Sequence, residues 1–371
     1  YLSAGIIDLG TITVSIVCNW FLRRLDNYPR LYLTLAILMN LVLLGFFKYR
    51  GFFGTENFIG GSFSDLILPL GISFYTFQMI AYHVDVVKKR TNPAPSFKSF
   101  VLFVGFYPQL VAGPIVRASQ LLPQINRVIS QGFCQKKFVI FGLGLILLGM
   151  AKKVIMADSL GPVVDDIFFI GPDSFGQAWL GAILFTFQIY FDFSGYSDIA
   201  VGAAYLLGFR IPFNFRTPYS STGPAEFWQR WHMTLSAWIR IFVYIPLGGS
   251  RGSQLQVVTV LIVTMIIAGL WHGASFTFIV WGAAWGAYIL VGRILQKLSV
   301  QIGPLQWFLH MSVVVVLWVF FRAVNLDEAF NYIAMMFNVG SGVGSVSVAL
   351  WIGLGVISLF SLHWLESHLA N

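Results

Sequence analysis

The chain has 371 residues, 57% of them hydrophobic and only 10% charged, with a formal charge of +8. That leaves too little polar surface to coat a soluble globule, so composition excludes a soluble enzyme or binding module and indicates a multi-spanning protein whose first partner is the lipid bilayer. Nucleic acid is excluded by the placing of the positive charge: the basic residues sit in short clusters between apolar runs, among them Arg23–Arg24, Lys48 and Arg50, Lys88–Lys89–Arg90 and Lys152–Lys153, the pattern of juxtamembrane anchors.

The first residue is Tyr1 and not Met, and an apolar run already begins at residue 6, so a trimmed N-terminus and a longer natural chain are expected. Candidate spans follow at 6–22, 31–47, 66–84, 99–116, 138–157, 178–191, 195–209, 257–271, 274–291, 305–321 and 346–364. Ten or eleven helices are therefore predicted, some too short to cross alone, in an all-α polytopic membrane protein with a single membrane domain over 1–371. Turn chemistry marks loops at 91–95, 171–176 and 210–224, the last being RIPFNFRTPYSSTGP. No internal repeat of the kind common in transporters is present. Cys18 and Cys134 lie in unrelated segments without metal-ligand spacing.

After the long loop, residues 224–249 read as one amphipathic helix. Gly223 suits the N-cap, Pro224 the first helical position and Glu226 the first turn. At 100° per residue, Glu226, Gln229, Arg230, His232, Ser236 and Arg240 share one arc, opposite Phe227, Trp231, Leu235 and Trp238. Such a helix is expected at the interface or partway into the membrane, with its polar arc facing a wet cavity. Arg230, Ser236 and Arg240 could there hold an anionic, phosphate-bearing ligand such as coenzyme A. For His232, a solvated polar-face residue and a ligand-facing one both fit.

Between Arg251 and Arg293 there is no formal charge. Val257 to Leu290 as one helix would be about 51 Å long against a hydrocarbon core of about 30 Å, so the chain must break. Gly269 and Gly273, bracketing Trp271 and His272, are the cheapest places to bend or to admit a close backbone. His272 is thus predicted at a break at membrane depth, as a neutral imidazole able to accept a proton. A general base acting on a hydroxyl and a structural histidine bonded to a carbonyl both suit that position. In QIYFDFSGYSD, residues 188–198, Asp192 and Asp198 sit in aromatic, small-residue surroundings, where a carboxylate could orient a histidine or cap a broken helix. His83 and Asp85 read as interface residues, and His310, His363 and His368 have no companions in sequence.

Several blocks, in order, carry a resemblance: LPLGISFYTFQMIAYHVDV (68–86), FYPQLVAGPIVR (106–117), FDFSGYSDIAVGAAYLLGFRIPFNFRTPY (191–219), EFWQRWHMTLSAWIRIFVYIPLGGSR (226–251), GLWHGASFTFIVWGAAWG (269–286) and WVFFRA (318–323). Together they resemble the membrane-bound O-acyltransferase family, of the bacterial alginate O-acetylation type. The resemblance implies a ring of membrane helices around a central funnel with short re-entrant helices. It also implies catalytic roles for His272 and His232, with Trp271, Arg230, Ser236, Arg240 and Asp192 as candidate substrate-binding residues. The implied reaction takes an acetyl group from cytoplasmic acetyl-CoA, used as a substrate with no bound cofactor, towards an exported polysaccharide such as alginate. A periplasmic SGNH-type acetyltransferase, a polysaccharide export complex and the bacterial inner membrane complete the implied setting. Competing readings are D-alanyl transfer to teichoic acid, acetylation of peptidoglycan or cellulose, and a non-enzymatic transporter or scaffold.

Overall fold

A computed structural model of the chain describes residues 5–50, 52, 68–111, 113–131, 136–298, 302–343 and 355. Every regular element among them is helical. Among the described residues, five helices are long and apolar enough to cross a bilayer, Pro29–Lys48, Lys137–Ile170, Gln254–His272, Phe276–Lys297 and Pro304–Arg322. The span predicted at 346–364 lies outside the described residues but for one position, as do His363 and His368. The chain groups into two compact units, Tyr1–Leu147 with Ser197–Pro212, and Leu148–Tyr196 with Phe213–Asn371.

The first unit holds α1 (Gly5–Leu22), α2 (Pro29–Lys48), α3 (Ile72–Val87), α4 (Phe97–Val104), α5 (Tyr107–Leu110), α6 (Ala118–Gln131) and most of α7 (Lys136–Met150). Pro29 starts α2, where its missing N–H is no loss, and Leu38 and Val42 remain exposed on it as a lipid-facing stripe. The span predicted at 99–116 is instead two short helices, because Gly105 and Phe106 leave the helical path and Pro108 cannot continue the ladder of α4.

His83 and Asp85, at the end of α3, are buried and paired within the protein. His83 is fully buried, its Nδ1 2.5 Å from the Tyr32 hydroxyl and its Nε2 2.8 Å from Asn19 Oδ1. Asn19 in turn pairs with the buried Asn40. Asp85 is buried and receives the Arg117 guanidinium through both carboxylate oxygens at 2.7 Å. These side chains satisfy one another inside an apolar bundle, where an unpaired polar group would be costly.

In the second unit, the apolar run from α7 continues through a π-helical turn, Ala151–Ala157, into α8 (Asp158–Ile170). The two short spans predicted at 178–191 and 195–209 are one 32-residue helix, α9 (Phe175–Leu206), whose residues through Tyr196 belong to this unit. Gly195 lets α9 cross the π turn closely: a Cβ there would stand 2.7 Å from the Gly149 carbonyl oxygen and 3.0 Å from the Lys152 Cβ. Then follow α10 (Pro224–Arg230), α11 (Met233–Ile239), α12 (Gln254–His272), α13 (Phe276–Lys297), α14 (Pro304–Arg322) and α15 (Leu326–Phe337).

The core of this unit is aromatic. Trp285 stacks on Phe227 at 4.9 Å, and Phe227 on Trp231 at 5.6 Å. Trp281 and Trp318 stack at 6.0 Å, both fully buried. Large rigid rings bury much area for few frozen torsions, which suits a site that must hold its walls in place.

Candidate active site

The helix start predicted at Gly223 and Pro224 is present, but the helix does not run on. After Arg230, Trp231 adopts φ −98°, ψ 128° and His232 the left-handed conformation at φ 41°, ψ 53°. A left-handed histidine is uncommon and persists only where its surroundings impose it. Here the preceding loop does so: the Arg216 N–H donates to the Arg230 carbonyl at 2.9 Å and the Met233 N–H to the Asn214 carbonyl at 2.8 Å. The continuous polar arc therefore does not form. His232 is 1% exposed, a core residue and not a solvated one.

The residues assigned to that arc have separate local duties. Arg230 binds Glu226 at 2.7 Å, Thr217 Oγ1 at 3.1 Å and Ser220 Oγ at 3.2 Å. Burial pushes the Glu226 carboxyl up, yet the Thr222 backbone N–H and the Arg230 guanidinium outweigh it and hold it below the ordinary carboxylate range. The Ser236 hydroxyl donates to the Trp231 carbonyl at 3.2 Å, across the break, and Arg240 is exposed at the end of α11.

The break predicted at His272 is present. His272 is the last residue of α12, Gly273 is extended, and the Ser275 hydroxyl caps α13 by accepting the Thr277 N–H. Gly269 is not the bend but the close approach: a Cβ there would stand 2.1 Å from the Phe278 carbonyl oxygen. Across the same contact a Cβ on Gly282 would stand 2.3 Å from the Met265 carbonyl oxygen. His272 is half-buried, with Trp271, Phe321 and Trp281 edge-on to its ring at 4.9, 4.9 and 5.3 Å.

The two histidines, 40 positions apart in sequence, meet at one indole. Trp271 lies 5.8 Å from the His232 ring and 4.9 Å from the His272 ring. His232 lies between α10 and α11, outside the membrane-crossing helices. Burial first, and then the charge that His272 would carry, hold its imidazole well towards the neutral form. An imidazole held neutral, as at His232, can accept a proton from a hydroxyl.

Asp192 does not reach either histidine through any bond described. It pairs with Lys153 at 2.8 Å, as Asp158 does at 2.5 Å, and its side chain is about half exposed. Asp192→Asn is expected to shift stability by less than about 1 kcal/mol, read by thermal unfolding.

Some polar groups escaped the sequence reading. Lys152, read as an anchor, is fully buried, its ammonium 5.9 Å from the Tyr190 ring. His310 has companions after all: Ser221 Oγ at 3.0 Å and the Tyr288 hydroxyl at 2.9 Å. Asn214 sits in the loop that the turn signals singled out, but nothing in its sequence context distinguished it. A cavity of about 610 Å³ lies apart from both histidines, lined by Phe168, Pro172, Arg322, Asn331, Tyr332 and Met335 among others.

Residues 87–335 match the profile of the MBOAT, membrane-bound O-acyltransferase, family. The chain belongs to that family. Both histidines and the Asn214 loop lie inside the matched stretch, and MBOAT membership together with the five apolar helices makes this a multi-pass membrane protein. The chain is 42% identical, over 322 residues, to a probable alginate O-acetylase AlgI of Azotobacter vinelandii, covering 83% of this chain and 63% of the relative. It is 38% identical over 368 residues to a peptidoglycan O-acetyltransferase of Helicobacter pylori, covering 88% and 70%. A teichoic acid D-alanyltransferase of Streptococcus thermophilus is more distant, 29% identical over 259 residues, covering 64% and 59%. The chain spans about three fifths of the length of the alginate relatives from Azotobacter vinelandii and Pseudomonas aeruginosa.

Proposed function

We propose that this chain is the membrane-embedded catalytic part of an O-acyltransferase, one membrane domain that moves an acetyl group from cytoplasmic acetyl-CoA for O-acetylation of an exported polysaccharide such as alginate. The observation that carries the reading is the meeting of His232 and His272 at Trp271. His272 removes the proton from an acceptor hydroxyl as its oxygen attacks the thioester carbonyl; the carbon–sulfur bond breaks and the thiolate leaves with that proton. The aromatic walls keep water from competing for the acyl group. In this reading about ten or eleven helices form the family's ring around a funnel, and α10 and α11 are its re-entrant pieces. The setting is the bacterial inner membrane, with a periplasmic SGNH-type partner completing transfer within an export complex.

Identity to the alginate relative above that to the D-alanyltransferase favours acetyl over D-alanyl. The similarity to a peptidoglycan O-acetyltransferase makes peptidoglycan the second acceptor to assay. Purified full-length protein in lipid nanodiscs should release free coenzyme A from acetyl-CoA when a hydroxyl acceptor is supplied. Absence of thiol release with alginate and peptidoglycan fragments, with and without the periplasmic partner, would refute the reading and leave a transporter or scaffold.

A further inference from the structure

We infer that Asn214 is a positioning residue that locks His232 in the tautomer carrying its hydrogen on Nδ1, so that Nε2 presents a bare lone pair to an O–H or N–H of the substrate. The inference deepens the acyltransfer reading and rests on it for its catalytic consequence. Its geometric part stands on contacts alone.

Asn214 is 1% exposed and held at both ends. Its backbone carbonyl accepts the Met233 N–H at 2.8 Å, the bond that helps to impose the left-handed conformation on His232. Its side-chain oxygen accepts the Thr234 hydroxyl at 2.6 Å, and the same oxygen lies 3.3 Å from His232 Nδ1. An amide oxygen only accepts. A lone pair on Nδ1 would confront the lone pairs of that oxygen, so the hydrogen belongs on Nδ1 and Nε2 is left as the acceptor. Nε2 is buried with no hydrogen-bond partner among the described residues, at a depth where an unmet polar atom is costly unless something arrives to meet it. The ring cannot readily turn to repair this, because Phe193 stands edge-on at 4.6 Å and Trp271 at 5.8 Å. One asparagine thus ties the backbone break, the ring orientation and the tautomer together, as second-layer hydrogen bonds do for ligating or catalytic histidines.

The test is nitrogen NMR of the full chain in lipid nanodiscs with ring-labelled histidine, the His232 signals being those lost in His232→Gln. The wild-type spectrum should show a protonated Nδ1 and an unprotonated Nε2. Asn214→Leu, which keeps the backbone carbonyl and removes the acceptor, should mix or reverse the tautomers and lower kcat by about 10- to 100-fold, with KM unchanged. Asn214→Asp, which restores an acceptor oxygen, should recover the Nδ1–H signature and most of kcat. A wild-type spectrum with the hydrogen on Nε2 overturns the inference outright, and decides it even if the leucine variant does not fold. So does an Asn214→Leu protein that keeps both tautomer and kcat, or an Asn214→Asp protein that keeps the tautomer yet is as slow as the leucine variant. Should wild-type protein show the stated tautomer but release no coenzyme A, the acyltransfer reading falls and the tautomer assignment stands.

Discussion

Replacing His272 with alanine is expected to lower coenzyme A release by about 10²- to 10⁴-fold, the usual contribution of a general base, while the protein stays folded. The expectation follows from where the residue sits. His272 ends α12 at a chain break and is half-buried, so its imidazole is not a core plug whose removal collapses the fold. The walls around it belong to other residues, Trp281 from α13 and Phe321 from α14, and they remain in the variant. Loss of activity should therefore appear with little change in thermal unfolding. Thiol release within a few-fold of the parent, at equal expression and equal unfolding temperature, would remove His272 from the catalytic step and return it to the structural reading. The corresponding change at His232 should also reduce turnover, but with a measurable loss of stability, because that ring is buried and bonded to Asn214.

What the sequence made legible was the chemistry of short distances. The start of α10 was readable because Gly223, Pro224 and Glu226 act within one turn, and the break at His272 because length arithmetic allows no other course for an apolar run of that size. The left-handed His232 was not readable: a helix-compatible run is broken there by hydrogen bonds from a loop some 15 to 20 residues earlier, and no local propensity records them. The same blindness hid the Asn19, Asn40, Tyr32 and His83 network and the Asp85–Arg117 pair, whose partners are far apart in sequence. The gap predicted at 192–194 falls on the polar residues Asp192 and Ser194, but the helix runs on through them. In the structure Ser194 and Ser197 are buried and Asp192 is matched by Lys153. α15 was missed for the opposite reason. It is a short amphipathic helix capped by Asn325, not an apolar run of spanning length.

The glycine contact behind His272 supports the other large effect. Gly269→Ala is expected to destabilise the α12–α13 pair by about 3 kcal/mol, and with it to abolish transfer. The added methyl would stand 2.1 Å from the Phe278 carbonyl oxygen and 3.0 Å from its carbon, backbone atoms that no rotamer change can move aside. Relief requires the two helices to separate, and Gly282 against the Met265 carbonyl forbids a simple slide, since its own Cβ would stand 2.3 Å from that oxygen. His272 lies three residues beyond Gly269, about 4.5 Å along the helix axis, so any separation displaces its ring from Trp281. A helical glycine with open space around it supplies the contrast. In Gly144→Ala, on α7, the new Cβ meets nothing within 4 Å, and helix propensity alone should stabilise by up to about 1 kcal/mol. Thermal unfolding in nanodiscs and thiol release read both variants. If Gly269→Ala unfolds no earlier than Gly144→Ala and retains turnover, the close backbone contact is not what sets the position of His272, and the glycine at 269 marks only a tolerance for bending.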